Sequence, residues 1–307
     1  MTLSLSPSDA PGSAAGPTRE EFAERLLRGS VKKSYEPVVD IDWDAPLVPD
    51  KFFLPPSVVT LYGTEQWDAM TREQQIELSR QELVNILSAG IWFENILNQA
   101  LLRDLMHKNP TASSTHYALT ELGDETRHMV MFGKTIARVD GIPVRPKLFQ
   151  RIIINALPFT FRGSVLWTAA LVGEEIFDAL QRQIMEDDDL QPIVRRLMRI
   201  HVTEEARHIQ FARDGLRKQV PTMPRYRRML LANLHGAGGP FYRMLFTLPV
   251  QYSRTGLPGR ESTRVARANP HFQQMCVTSF ESLAAFFEET GLMGRLGRRM
   301  WRRAGFL

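Results

Sequence analysis

From Thr71 onward apolar residues recur at helical spacing. Ile76, Leu83, Ile86, Leu87, Trp92, Phe93, Ile96, Leu97, Leu101 and Leu105 form one broad stripe, and no proline interrupts it before Pro110. The pattern predicts a long first helix of about ten turns. A second helix is predicted from caps at Ser113/Ser114 to about Val139, where Gly141 and Pro143 stop it. A less regular stretch, Pro146 to Arg162, comes next. A third helix runs from about Gly163 to Met185 and ends in the acidic turn Glu186 to Asp189; Pro192 then sits in the first turn of a fourth that reaches about Lys218. Beyond Pro221 and Pro224 the segments are shorter, broken by Gly236 to Pro240, Pro249 and Pro258, until a last helix from Pro270 to about Thr290. No strand-like alternation of useful length occurs, so the fold class is predicted to be all-α.

Ahead of these helices, Arg19 to Arg28 is amphipathic, and Tyr35 to Pro56 carries Pro37, Pro46, Pro49, Pro55 and Pro56 among aromatics and aspartates. This reads as an extended arm packed on the surface. Residues 1–18, rich in Ser, Pro, Ala and Gly, lack the basic and apolar regions of a signal peptide and read as a disordered leader. The expected division is leader 1–18, arm 19–70, bundle 71–220, and C-terminal helices 221–307 completing the same domain.

Composition adds exclusions. With 307 residues, 43% hydrophobic and 23% charged, the chain has the make-up of a soluble globular protein. Its one cysteine, Cys276, rules out an internal disulfide framework and paired-cysteine zinc sites, which makes the cytoplasm the expected compartment. The net charge of +4 is largely local, since Arg295, Arg298, Arg299, Arg302 and Arg303 crowd one short tail. That tail reads as a solvated helix end, and no nucleic-acid partner is inferred from it. The most apolar stretches, Ile152 to Phe161 and Ser164 to Phe177, are interrupted by Asn155, Pro158, Arg162 and a glutamate pair. They fall short of the roughly 20 apolar residues of a membrane span.

Two of the long helices carry the same signature. Glu125-Thr-Arg-His128 lies on the second and Glu205-Ala-Arg-His208 on the fourth. Glu-x-x-His places carboxylate and imidazole on one helical face, where both can reach a single metal ion. One copy means little; two copies with a shared arginine suggest a duplicated helix pair. The other two helices supply anomalous carboxylates. Glu94 is the one ionisable residue between Ile86 and Leu97, and Glu174 and Glu175 are the only ones between Ser164 and Phe177, pointing about 100° apart. A lone buried carboxylate costs several kcal/mol unless a charge partner is supplied, and a dication supplies one. His201, four residues before Glu205, offers a third imidazole; the equivalent position on the second helix is Glu121. The candidate ligands are therefore Glu94, Glu125, His128, Glu174 or Glu175, His201, Glu205 and His208, a donor set suited to iron or manganese. Asp124, Glu204, Arg127, Arg207 and Asp178 are candidates for hydrogen bonds to those ligands; all but Asp178 read more simply as solvated or inter-helix salt-bridge residues. His107, His116, His235 and His271 have no partner spacing and read as structural.

The order Glu94, Glu125-x-x-His128, Glu174, His201-x-x-x-Glu205-x-x-His208 resembles the p-aminobenzoate N-oxygenase (AurF-like) family of ferritin-like diiron oxygenases, as do DWDAPL, KFFLPP, ANPHF and the closing WRRAG. The similarity runs from about Tyr35 to the end of the chain. It implies a ferritin-like four-helix bundle with an N-terminal arm and additional C-terminal helices. It also implies Glu174 rather than Glu175 as the ligand, through its 27-residue spacing to His201. Further implications are two iron ions, O2 as co-substrate, and oxidation of an arylamine to hydroxylamine and nitro product, in a homodimer. No ferredoxin, flavin or nicotinamide motif is present, so electrons are expected from a separate reductase or ferredoxin-type donor. Trp92, Tyr117, Val172 and Phe177 are candidate walls of a small-molecule pocket, and Arg243, Tyr252 and Arg254 candidate anchors for a substrate carboxylate. The same metal site would also serve a C–H hydroxylase or desaturase. A ferritin-like iron-oxidising or storage protein is the alternative from another class, disfavoured by the arm and the long post-bundle region.

Overall fold

The computed structural model describes residues 16–307; the leader expected over 1–18 lies, except for its last three positions, outside the described residues. Thr18 and Glu21 form a capping box that starts α1 (Arg19–Lys32). Two single turns, α2 (Pro37–Asp40) and α3 (Glu65–Asp68), punctuate the arm. The chain then lays down α4 (Arg72–Leu105), α5 (Ser113–Arg138), α6 (Leu148–Thr160), α7 (Ser164–Met185) and α8 (Pro192–Gln219). A second capping box, Thr71 with Gln74, opens α4, and Pro192 occupies the first turn of α8. Short connections make α4/α5 and α7/α8 neighbouring pairs, and one long crossover containing α6 joins them. The pairs face each other through α5 against α8 and α4 against α7, which is a ferritin-like four-helix bundle.

Three expectations are corrected. The serines at the start of α5 do not cap it: the N-cap is Ala112, and the Ser114 N–H and hydroxyl both donate to Glu20 of α1, at 3.0 and 2.5 Å. A carboxylate from another helix thus meets the positive end of α5. The stretch from Pro146 to Arg162 is helical as α6, because Pro146 precedes its first turn and Pro158 falls in its last. Finally, the arm lies on the surface only as far as Lys51, and beyond that it enters the core. Phe52, Phe53, Leu54, Val59 and Leu61 are all buried. Gln191, just before α8, holds the arm: its amide bonds the Val48 N–H and the Val48 and Lys51 carbonyls, and its own N–H donates to Phe52 O at 2.9 Å.

The C-terminal segments are α9 (Arg225–Leu234), α10 (Gly238–Phe246), α11 (Pro249–Arg254), α12 (Gly259–Ala268), α13 (Pro270–Glu289) and α14 (Arg295–Ala304). Of these, α13 packs on α7, and α10 and α11 pack on α4. The arginine face of α14 is largely solvated, as expected, while its other face docks Trp301. That indole stacks on Phe280 at 4.0 Å and donates to His235 Nδ1 at 2.9 Å. No helix among the described residues is long and apolar enough to cross a membrane.

Candidate metal centre

Each bundle helix sends acid into the shared interior. Glu94 comes from α4, Glu125 and His128 from α5, Glu174 from α7, and His201, Glu205 and His208 from α8; all seven are at most 4% exposed. Glu125 spans the cluster, with Oε2 3.0 Å from His128 Nδ1 and Oε1 2.9 Å from His208 Nδ1. Glu205 sits at its centre, with Oε1 3.3 Å from His128 Nδ1 and 3.5 Å from both His201 Nε2 and His208 Nδ1. Glu94 Oε1 lies 3.7 Å from His201 Nε2. Two overlapping nests result, Glu94/His128/His201/Glu205 and Glu125/Glu205/His208, whose donor atoms lie within 4.8 Å of one another. Glu174 converges on Glu125 in a third group completed by Glu121. Its neighbour Glu175 turns away, into a two-pronged ion pair with Arg213.

The outward nitrogens are held by a reciprocal brace. His128 Nε2 of α5 is 2.9 Å from Glu204 of α8, and His208 Nε2 of α8 is 3.2 Å from Asp124 of α5. Arg207 lies between the two carboxylates, and Arg127 pairs with Asp124. The expected salt bridges are thus present, but Asp124 and Glu204 are buried rather than solvated, and each also orients an imidazole. Asp178 bonds Arg182 instead of a ligand. The residue that holds His201 is Gln181, whose Oε1 accepts from Nδ1 at 2.7 Å. Sequence reasoning missed it; the available signal was its place two turns past Glu174 on the same face of α7.

Burial and mutual charge split the cluster. Desolvation, reinforced by Glu125 and Glu205, pushes Glu94 well above the usual carboxylate range, and desolvation with Glu205 and Glu125 does the same to Glu174. For Glu125 and Glu205 desolvation acts in the same sense, but adjacent imidazoles outweigh it; Glu125 falls well below the usual range and Glu205 to about 2. Burial would lower His128 and His208, yet their carboxylate partners raise both. His201 drops to about 4 through burial and the nearby His128. Glu121, buried beside the cluster, rises to about 8.

A cavity of about 20 Å³ opens onto the cluster beside Glu94, Glu174 and His201, with Phe93, Phe132 and Phe177 among its walls. That is room for little more than one water. Of the expected pocket walls only Phe177 lines it. Tyr117 packs against Phe211, Trp92 is half-buried elsewhere on α4, and Val172 lies under α10 with its carbonyl accepting from Tyr242. The expected carboxylate anchors are engaged in structure: Arg243 bonds the Ala304 and Arg267 carbonyls, Arg254 the Ile142 carbonyl, and the Tyr252 hydroxyl pairs with Thr60.

Glu94 Oε2, Glu125 Oε1, both oxygens of Glu174 and Glu205, His201 Nε2 and His208 Nδ1 are buried without a hydrogen-bond partner. Buried polar atoms are seldom left so, and clustered carboxylates repel one another, so these inward donors fit cations. Oxygen and imidazole donors without thiolate suit iron. An all-helical bundle with paired Glu-x-x-His helices and a carboxylate from each of the other two fits the pattern of di-metal carboxylate proteins. Residues 16–291 match the family described as P-aminobenzoate N-oxygenase AurF, and the chain belongs to that family of oxygenases. It is also 28% identical, over 92% of its length and 86% of theirs, to the uncharacterized proteins Rv0885 of Mycobacterium tuberculosis and Mb0909 of Mycobacterium bovis.

Proposed function

We propose that the protein is a non-haem diiron monooxygenase that N-oxygenates an arylamine to its hydroxylamine and nitro products. Its iron ligands are Glu94, Glu125, His128, Glu174, His201, Glu205 and His208. The observation that carries this reading is the set of buried inward donors without partners, gathered from all four bundle helices. Glu125 and Glu205, each close to donors of both groups, would be shared between two irons, with His128, His201 and Glu94 available to hold one and His208 and Glu174 the other. An iron pair supplies adjacent one-electron reductants for dioxygen, cycling between Fe2+ and Fe3+.

The protein's own part is positional. Glu204, Asp124 and Gln181 fix which nitrogen of each imidazole faces inward. Phe93, Phe132 and Phe177 exclude water from the open side of the site. In N-oxygenation one oxygen atom enters an N–H bond and the other leaves as water, so an electron pair and protons must arrive from outside. The same reading assigns the delivery of electrons to a separate reductase or ferredoxin-type donor and places the protein in the cytoplasm. Homodimerisation belongs to the same reading, supported by the exposed apolar side chains Phe149, Ile152, Met229 and Leu230.

The test is to incubate iron-loaded protein with arylamines, a chemical reductant and 18O-labelled dioxygen, and to analyse products by mass spectrometry. Labelled hydroxylamine or nitro product is expected. Label on carbon would favour the C–H oxidation alternative, and iron oxidation with no organic product across amine and aliphatic panels would favour storage chemistry.

A further inference from the structure

The seven proposed ligands are nearly symmetric between the two helix pairs. Glu94 on α4 corresponds to Glu174 on α7, Glu125 to Glu205, and His128 to His208, and the supporting carboxylates Asp124 and Glu204 exchange contacts in the same sense. One member, His201, has no counterpart in the set. The residue at its place on α5, four positions before Glu125, is Glu121.

Glu121 behaves as a donor awaiting a partner. It is 2% exposed, its Oε2 has no hydrogen-bond partner, and it forms no ion pair among the described residues. A carboxylate oxygen of Glu121 lies within 4.8 Å of one from Glu125 and one from Glu174, in a group separate from the Glu94/His128/His201/Glu205 nest. Arg19 of α1, whose charge also acts on Glu121, is committed elsewhere: it pairs with Asp214 at 2.8 Å, donates to Phe211 O and stacks on the Phe211 ring. Tyr117, one turn before, also keeps a hydroxyl without a partner. Three carboxylates converge here in a dry interior with the His208 imidazole against Glu125, more negative than positive groups, and a bound dication relieves that imbalance.

Resting on the diiron reading above, we propose that Glu121 is an eighth protein ligand, which completes the iron position of Glu174 and His208 as His201 completes the other. Position His201 would thus give one iron a neutral donor where Glu121 gives its neighbour an anionic one, so the two irons differ in charge environment as well as in histidine count.

The experiment is an anaerobic Fe(II) titration of the full-length apoprotein against a competing chelator, for wild type, Glu121→Gln and Glu121→His, with thermal melting of each apoprotein. Wild type is expected to take up iron in two steps. Glu121→Gln should keep one step and weaken the other about tenfold or more, Glu121→His should recover most of that loss, and the Glu121→Gln apoprotein should melt no lower than wild type because a repelling carboxylate is gone. Two unaltered steps in Glu121→Gln, or a weakened step accompanied by a lower apoprotein melting temperature, would overturn the assignment and leave the seven-ligand centre standing. A wild type that binds fewer than two irons would instead overturn the diiron reading itself, and this inference with it.

Discussion

Glu204 of α8 reaches across to α5 and places Oε2 2.9 Å from Nε2 of His128, so each Glu-x-x-His helix orients the imidazole of the other through the carboxylate just before its own glutamate. This contact holds the ring with Nε2 outward and Nδ1 inward, the orientation in which Nδ1, once deprotonated, could serve as a metal donor. Glu204→Ala is therefore expected to weaken iron binding about 10- to 100-fold. Glu204→Gln, which keeps an acceptor, should lose much less. Equilibrium Fe(II) titration checks both; equal affinities in wild type and Glu204→Ala would contradict the brace.

Phe93 rests on Gly173 at the open side of the site. A Cβ at position 173 would fall 1.6 to 2.3 Å from three atoms of the Phe93 ring, so only glycine lets that ring lie beside Glu174. Gly173→Ala should destabilise the apoprotein by about 1–3 kcal/mol as the ring is displaced. Adding Phe93→Ala should remove most of that penalty, giving a double-mutant cycle far from additive. Urea unfolding of the four proteins measures it, and additive costs would show that the two positions do not share the space.

His235 gives a pH dependence separate from the metal centre. Burial lowers its folded-state value to about 4, and its Nδ1 accepts from Trp301 while Nε2 donates to the Leu292 carbonyl. The unfolded chain protonates near 6.5, so acid favours unfolding: the contribution is complete above that pH and is lost as pH falls toward 4, by roughly 3 kcal/mol at most. The difference in unfolding free energy between wild type and His235→Asn should shrink over this window. A difference that stays constant from pH 7 to about 4 would contradict the shift.

What the sequence revealed depended on whether a residue contrasted with its surroundings. The four long helices were legible from their unbroken apolar periodicity, and their observed ends fall within a residue or two of those expected. Glu94 stood out because the twelve-residue run around it has no other charge. The buried end of the arm was not legible because the burial of Phe52 to Leu61 comes from the grooves it fills, not from any period of its own. Asp124 and Glu204 were indistinguishable from surface acids beside an arginine until the helices were brought together. Gln181 carries no charge to mark it, and the walls of the cavity come from four helices at once.

The most direct measurement is iron content per chain after anaerobic reconstitution with Fe(II), for wild type and His201→Ala. A diiron centre built on these residues predicts about two irons per chain in wild type and less in the variant, because His201 Nε2 faces Glu94 and Glu205 in one nest. Zero or one iron in wild type, or two held with equal affinity in both proteins, would contradict it.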